Sequence, residues 1–281
     1  MIIPAMTPAT RTLIALLATG AALHAAPAAA QGMDDNYWLE VAFYWPSVDT
    51  SLQLNSTTNN TIGTDVDFES DLNLDKGEAL PALEAGARLG RNWRLTAEYF
   101  ALGRSGEASL SRNIVVEDVT YPVNAVVNSE FDSDVYRFSV GYSFVRNDSV
   151  ELGGALGLHA TDFTVSLTGL GSVNGSPVAT TQTRAKDFLA PLPTIGLYGN
   201  YEVAPGFVLG ANVDFLSLKV GDYDGRLVNA QVELSYQVAR NFAIGANYRY
   251  VDYRVDVEKD TYTGRLTYQF NGPSVFVRAG F

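Results

Sequence analysis

After His24, the chain holds one further histidine, His159. Imidazole is the side chain best suited to moving protons near neutral pH. It works as a general base when a serine, cysteine or carboxylate stands beside it. The residues that follow His159 are Ala160, Thr161 and Asp162, with no serine among them. No G-x-S-x-G, H-E-x-x-H or P-loop occurs in the chain, so no acyl-transfer, zinc-protease or phosphate-cradling motif frames this histidine. The second concentration of reactive groups is Asp65 to Glu78 (DVDFESDLNLDKGE), where Asp65, Asp67, Glu69, Asp71, Asn73 and Asp75 alternate with Val66, Phe68, Ser70, Leu72 and Leu74. Oxygen ligands this dense could hold Ca²⁺ or Mg²⁺. The EF-hand pattern fails there, since Gly77 falls one position late and Ala82 stands where the closing glutamate belongs. A solvated hairpin face is the simpler reading. No catalytic residue, metal ligand or cofactor site is assigned.

The elements that would position these groups follow from composition and period. A length of 281 residues allows one large all-β domain or two ordinary ones. With no cysteine, disulfides and thiolate metal sites are excluded. A net charge of −12 excludes a phosphate-gripping nucleic-acid binder. The hydrophobic share of 47% is too high for disorder. Residues 1–30 stand apart. Arg11 supplies a positive head, Thr12 to Ala26 an apolar run, and Ala28-Ala29-Ala30 the small residues that precede cleavage. The run is too short for a permanent span, so it reads as a secretory signal, with Gln31 the first residue of an exported chain.

Beyond it the pattern has period two. Val228, Ala230, Val232, Leu234, Tyr236 and Val238 oppose Asn229, Gln231, Glu233, Ser235 and Gln237. The stretches 136–144 and 242–250 alternate in the same way. Each segment runs about ten residues, the length a tilted strand needs to cross hydrocarbon. Aromatic residues gather at the segment ends: Trp38 and Trp45, Trp93 and Tyr99, Phe207 and Phe215, Phe242 and Tyr250. These predict two headgroup girdles. The polar face carries full charges that a dry sandwich core would not tolerate unpaired. The expectation is an all-β, closed antiparallel transmembrane barrel, which satisfies every backbone group in lipid.

About ten strands are expected, at 37–48, 79–90, 92–103, 131–145, 149–161, 193–203, 206–218, 225–238, 242–256 and 262–281. Eight and twelve stay open, because Pro191 and Pro193 disturb one strand and 62–75 could add another. Short turns at 90–92, 146–148, 204–206 and 239–241 belong on the periplasmic side, and long extracellular loops near 49–78, 104–130 and 162–192 on the other. In the last strand, Leu266, Tyr268 and Phe270 are apolar at even positions but Val275, Val277, Ala279 and Phe281 at odd ones. A bulge at Asn271-Gly272-Pro273 would reconcile them, or a tight turn there would. The predicted lumen face holds Glu40, Glu84, Arg88, Arg94, Glu98, Arg137, Glu151, Glu202, Asp214, Glu233, Arg249, Arg265 and Arg278, near-balanced charges that should pair in a narrow interior.

An export signal, aromatic-rich alternating strands and a terminal strand closing on Phe281 resemble the small outer-membrane barrels of Gram-negative bacteria, the OmpA-like superfamily. The resemblance implies an outer-membrane location, contact with outer-membrane lipid and lipopolysaccharide, and delivery to the barrel-assembly machinery through Val275, Val277, Ala279 and Phe281. It implies no activity, since such scaffolds serve as anchors, adhesins, pores and enzymes. In that setting hydrolases commonly use a histidine with a serine or carboxylate, and the residues around His159 do not match the His-x-Ser arrangement of lipid A deacylases. The expectation is a non-enzymatic structural or surface-interaction protein with a salt-bridged lumen. The alternative is a narrow passive channel for ions or small solutes, and a lipid-modifying enzyme comes third.

Overall fold

The computed structural model of the chain describes residues 35–281 apart from 59, 78, 117–118 and 174–175. The export segment, residues 1–30, lies outside the described residues. Fourteen strands form one antiparallel sheet. They are β1 (Tyr37–Tyr44), β2 (Ser47–Ser56), β3 (Val66–Asp67), β4 (Leu80–Leu89), β5 (Trp93–Ser109), β6 (Ile114–Val116), β7 (Val119–Tyr121), β8 (Val126–Arg146), β9 (Val150–Val173), β10 (Ser176–Ala204), β11 (Phe207–Val220), β12 (Tyr223–Ala239), β13 (Phe242–Glu258) and β14 (Tyr262–Gly280). The wall is a ring of ten, in the order β1, β4, β5, β8, β9, β10, β11, β12, β13, β14. It closes where β1 pairs β14 through Trp38↔Gly280 to Tyr44↔Ser274. Beyond Trp45-Pro46, β2 continues the first stave and pairs the upper part of β14. Segment 62–75 adds only β3, so the ring holds no extra stave.

The outward faces form an uninterrupted apolar belt. On β8 it is Tyr136, Phe138, Val140, Tyr142 and Phe144; on β13, Phe242, Ile244, Ala246, Tyr248 and Tyr250. Girdle residues recur eight positions apart on β8, β11 and β13. At ~3.3 Å per residue and a tilt near 40°, this gives a band roughly 20 Å tall, close to the ~25 Å of barrels in lipid. Trp45, Trp93, Tyr99, Phe207, Phe215 and Tyr250 are exposed on this outer face. Trp38 is a correction: it points inward and is buried, because β1 faces the lumen at even positions.

The stretch 162–192 is largely wall rather than loop, and wall strands also run into both ends of 104–130 and the start of 49–78. β2 and β5 run on to Ser56 and Ser109, β8 begins at Val126, and β9 and β10 together take up nearly all of 150–204. The reason is a reversal of the hydrophobic phase. On β8, apolar Val127, Phe131 and Val135 are buried at odd positions, then the apolar set moves to even, exposed positions from Tyr136 onward. Within the belt the outside is lipid and the inside polar. Above it the outside is polar and the inside is an apolar core.

The same inversion accounts for β14. Leu266, Tyr268 and Phe270 point inward while Val275 and Val277 point outward, all in one register against β13 from Phe242↔Ala279 to Glu258↔Thr263. There is neither a bulge nor a turn at Asn271-Gly272-Pro273. The pattern changed because the surroundings changed, not the register. Pro191 and Pro193 are tolerated for a local reason: β10 pairs β11 only from Ile195 downward, so above that level β10 has one free edge and needs no donor there.

Candidate functional site

Within the belt, one row of inward side chains follows the ladder from strand to strand. Arg278 of β14 pairs in register with Glu40 of β1, Glu40 with Glu84 of β4, Glu84 with Glu98 of β5, Glu98 with Arg137 of β8, and Arg137 with His159 of β9. Three carboxylates thus stand side by side with an arginine at each end. Like charges directly opposite one another are destabilising unless compensated. Compensation comes from the arginines at the ends of the row and from across the lumen. Glu98 is held by both Arg137 and Arg249. Arg137 also reaches Asp214 at 2.8 Å, and Asn229 Nδ2 donates to the same carboxylate at 2.8 Å. Arg278 lies 2.7 Å from Glu40 and 3.3 Å from Glu233.

Nearer the short-turn end, Arg88 and Glu151 form a two-pronged pair at 2.7 and 3.1 Å, both side chains almost fully buried. Such forked pairing is the strong geometry for these groups. Two of the expected lumen charges serve elsewhere. Glu202 accepts the Gly206 N–H at 3.0 Å and so closes the β10–β11 turn, where Gly206 adopts φ 77°. Arg265 is a correction: it lies on the outer face of β14 and bonds Asp256 at 2.5 Å, because no bulge shifts that strand. Among the described residues Arg94 and Glu84 form no ion pair, though Arg94 lies within the field of Glu151, and Glu84 within that of Arg137 and Arg278.

Above this charged level the lumen is filled by rings. Tyr44, Phe100 and Phe270 meet edge to face, and Phe131, Phe163, Tyr268 and Tyr253 continue the contact, with centroid separations from 5.2 to 6.3 Å. Phe68, from the segment before β4, joins this cluster against Phe131. A continuous set of buried side chains therefore crosses the bore.

His159 sits at the lower margin of the plug, 3% exposed, with its ring 6.0 Å from that of Tyr253. Its Nδ1 has no hydrogen-bond partner among the described residues. No serine or carboxylate bonds the ring, and Asp162 points to the opposite, outer face.

The acidic stretch from Asp65 does not converge either. Glu69 is buried against Arg104 and accepts the Thr50 N–H at 2.8 Å. Asp71 pairs Arg112 at 2.6 Å, and Asp67 accepts the Ser70 N–H at 2.7 Å. Among the described residues no group of three or more potential ligands is placed to hold a metal ion. Glu78 lies outside the described residues. Arg104 was not foreseen in the lumen. Its signal was parity, since it shares the even positions of β5 with Glu98, Phe100 and Leu102.

On the outer face above the belt, Asp132, Asp134 and Asp162 lie on β8 and β9, with Asp134 opposite Asp162. Partial desolvation, then the neighbouring Glu130 and Asp134, raises the Asp132 carboxyl above the usual range.

No family model matches the chain, and no curated protein matches it. Solved structures do. The outer-membrane protease OmpT from Escherichia coli is similar over 89% of this chain and 98% of its own, with a TM-score of 0.55 at 12% identity. The Pseudomonas putida toluene transporter TodX covers 91% of this chain and 92% of its own at 9% identity, TM-score 0.36. Neisserial surface protein A covers 88% and 97% at 14% identity, TM-score 0.32. At such identities the likeness to OmpT establishes architecture alone: the fold is that of a closed outer-membrane β-barrel.

Proposed function

We propose that the chain is an integral outer-membrane protein of a Gram-negative bacterium with a non-catalytic, structural or surface-interaction role. The observation that supports it is the ring-filled upper lumen, a cluster of buried side chains standing across the path that ions and solutes would take. The wall above the belt then serves as a rigid pedestal, its apolar interior carrying a polar outer surface beyond the lipid. Outer-membrane lipid and lipopolysaccharide are the surroundings proposed for the belt and the acidic band above it. Assembly is proposed to run through the terminal strand. Phe281 carbonyl accepts the N–H groups of Asn36 and Tyr37 at 2.7 and 3.0 Å, so the last residue seals the first stave. Deleting Phe281 should lower assembly in cells far more than refolding in vesicles.

A narrow channel is the second reading, supported by the polar lower lumen. Planar-bilayer recording of the purified protein separates the two. No stable conducting steps are expected, and regular steps under mild conditions would replace the first reading with the channel. A lipid-modifying enzyme would require His159 to meet substrate from beneath the plug. Turnover of radiolabelled lipid A, lost in His159→Ala, would establish it.

A further inference from the structure

The lower lumen contains a polar cavity of about 100 Å³, lined by Glu84, Arg94, Glu98, His159, Asn200 and Glu233 among others. That is room for several waters, hence for a small polar solute. A second cavity of about 40 Å³ shares Arg94, Asn200 and Glu233 with it and continues toward Asp35 and Trp38 at the short-turn end. The aromatic cluster closes the other side.

Most charges here form ion pairs; among the described residues Glu84 and Arg94 form none, and both stand against Trp38. Glu84 accepts only the Trp38 Nε1–H, at 2.9 Å. Arg94 is clamped between rings, its guanidinium 4.8 Å from the Trp38 centroid and 5.5 Å from that of Tyr198. Its Nε is buried without a hydrogen-bond partner, and among the described residues it forms no ion pair, Glu151 across the adjoining cavity being an acid that feels its charge. The clamp is built into the wall. A Cβ at Gly86 would stand 1.8 Å from the Trp38 ring, and one at Gly153 would stand 2.2 Å from the Tyr198 ring. Glycine at those positions lets both rings lie flat against the strands. Ring faces hold a cation without neutralising its donors, so Arg94 stays available to an anion. His159, nearly fully buried, lines the same cavity, its Nδ1 enclosed and without a hydrogen-bond partner among the described residues.

An anion alone would face Glu84, Glu98 and Glu233, and a cation alone would face Arg94, Arg137 and Arg278. A molecule carrying both charges meets neither repulsion. We propose that this blind cavity binds a small zwitterion of the amino-acid type, its carboxylate on Arg94 and its ammonium on Glu84, entering from the short-turn end. This goes beyond the surface role proposed above and does not depend on it.

Trp38 is the natural reporter, since Trp45 and Trp93 lie on the outer face and can be replaced by Phe. In that background the probes are glycine, 4-aminobutyrate and 6-aminohexanoate, with butyrate and butylammonium as single-charge controls. At least one zwitterion should change Trp38 emission saturably, and both controls should bind about tenfold more weakly or worse, about 1.4 kcal/mol. Arg94→Gln and Glu84→Gln, checked for folding by gel mobility, should each weaken the zwitterion by a similar factor. No saturable response to any zwitterion, or controls that match it, overturns the proposal without recourse to the variants. A response surviving both substitutions overturns it as well.

Discussion

Leu156 and Thr164 stand on the same outward face of β9, and arginine at each should have opposite consequences. Leu156 faces Val140 on β8 and Ile195 on β10, midway between the girdles. It is 66% exposed to the surroundings of the barrel. Arginine at a bilayer midplane costs about 2–4 kcal/mol in such barrels. Removing a leucine with two thirds of its surface in lipid forfeits roughly 1–2 kcal/mol more, scaled from full burial. The total for Leu156→Arg is about 3–6 kcal/mol. Thr164 lies above the belt, with Asp132 and Asp187 as its cross-strand neighbours. There an arginine meets two carboxylates, and a cross-strand pair of opposite charge is worth about 0.2–1 kcal/mol in its favour. Urea-dependent folding into phosphatidylcholine vesicles, followed by tryptophan emission, measures both. Equal cost at the two positions, or a cost at Leu156 below about 0.5 kcal/mol, the ordinary scale of surface substitutions, would refute the depth assignment.

Other outcomes follow from the same structure. A raised Asp132 carboxyl disfavours its ionised form in the folded state, so that contribution weakens stability as pH rises through the folded value. Asp132→Asn should remove this part of the pH dependence, read from urea midpoints at acidic and neutral pH. Arg88→Ala leaves Glu151 buried without its partner and should cost about 3–5 kcal/mol, while Arg88→Met with Glu151→Leu recovers most of it in the same assay. Gly153→Ala drives a methyl into the Tyr198 ring and should cost about 1–3 kcal/mol, relieved when Tyr198 is shortened to Leu. Replacing Phe131, Phe163 and Tyr268 together by Ala should open the bore, and planar-bilayer recording would show conducting steps absent from the parent protein.

The sequence by itself determined the period of two, the short turns and the outward apolar belt. Each is local: alternation follows from strand geometry, and turns such as Ala204-Pro205-Gly206 follow from backbone preferences. The inward placing of Glu98, Arg137 and Asp214 was legible for the same reason, since parity sorts faces without knowing what lies across the lumen. Tertiary structure alone decided what each face meets. Tyr268 and Val275 are both apolar, and their opposite parity suggested a slip in β14. The register is unbroken; Tyr268 points into a ring cluster assembled from β8, β9, β13 and β14, while Val275 points into lipid. Hydrophobicity records burial from water, and both environments exclude it, so one strand's pattern cannot tell lipid from core. Trp38 misled in the same way, its ring lying inside against Glu84 and Arg94 rather than in the girdle. Which charges form ion pairs, and that Arg94 and Glu84 form none among the described residues, depended on closure of the ring, because pairs such as Glu98–Arg249 and Glu40–Arg278 join strands far apart in the chain.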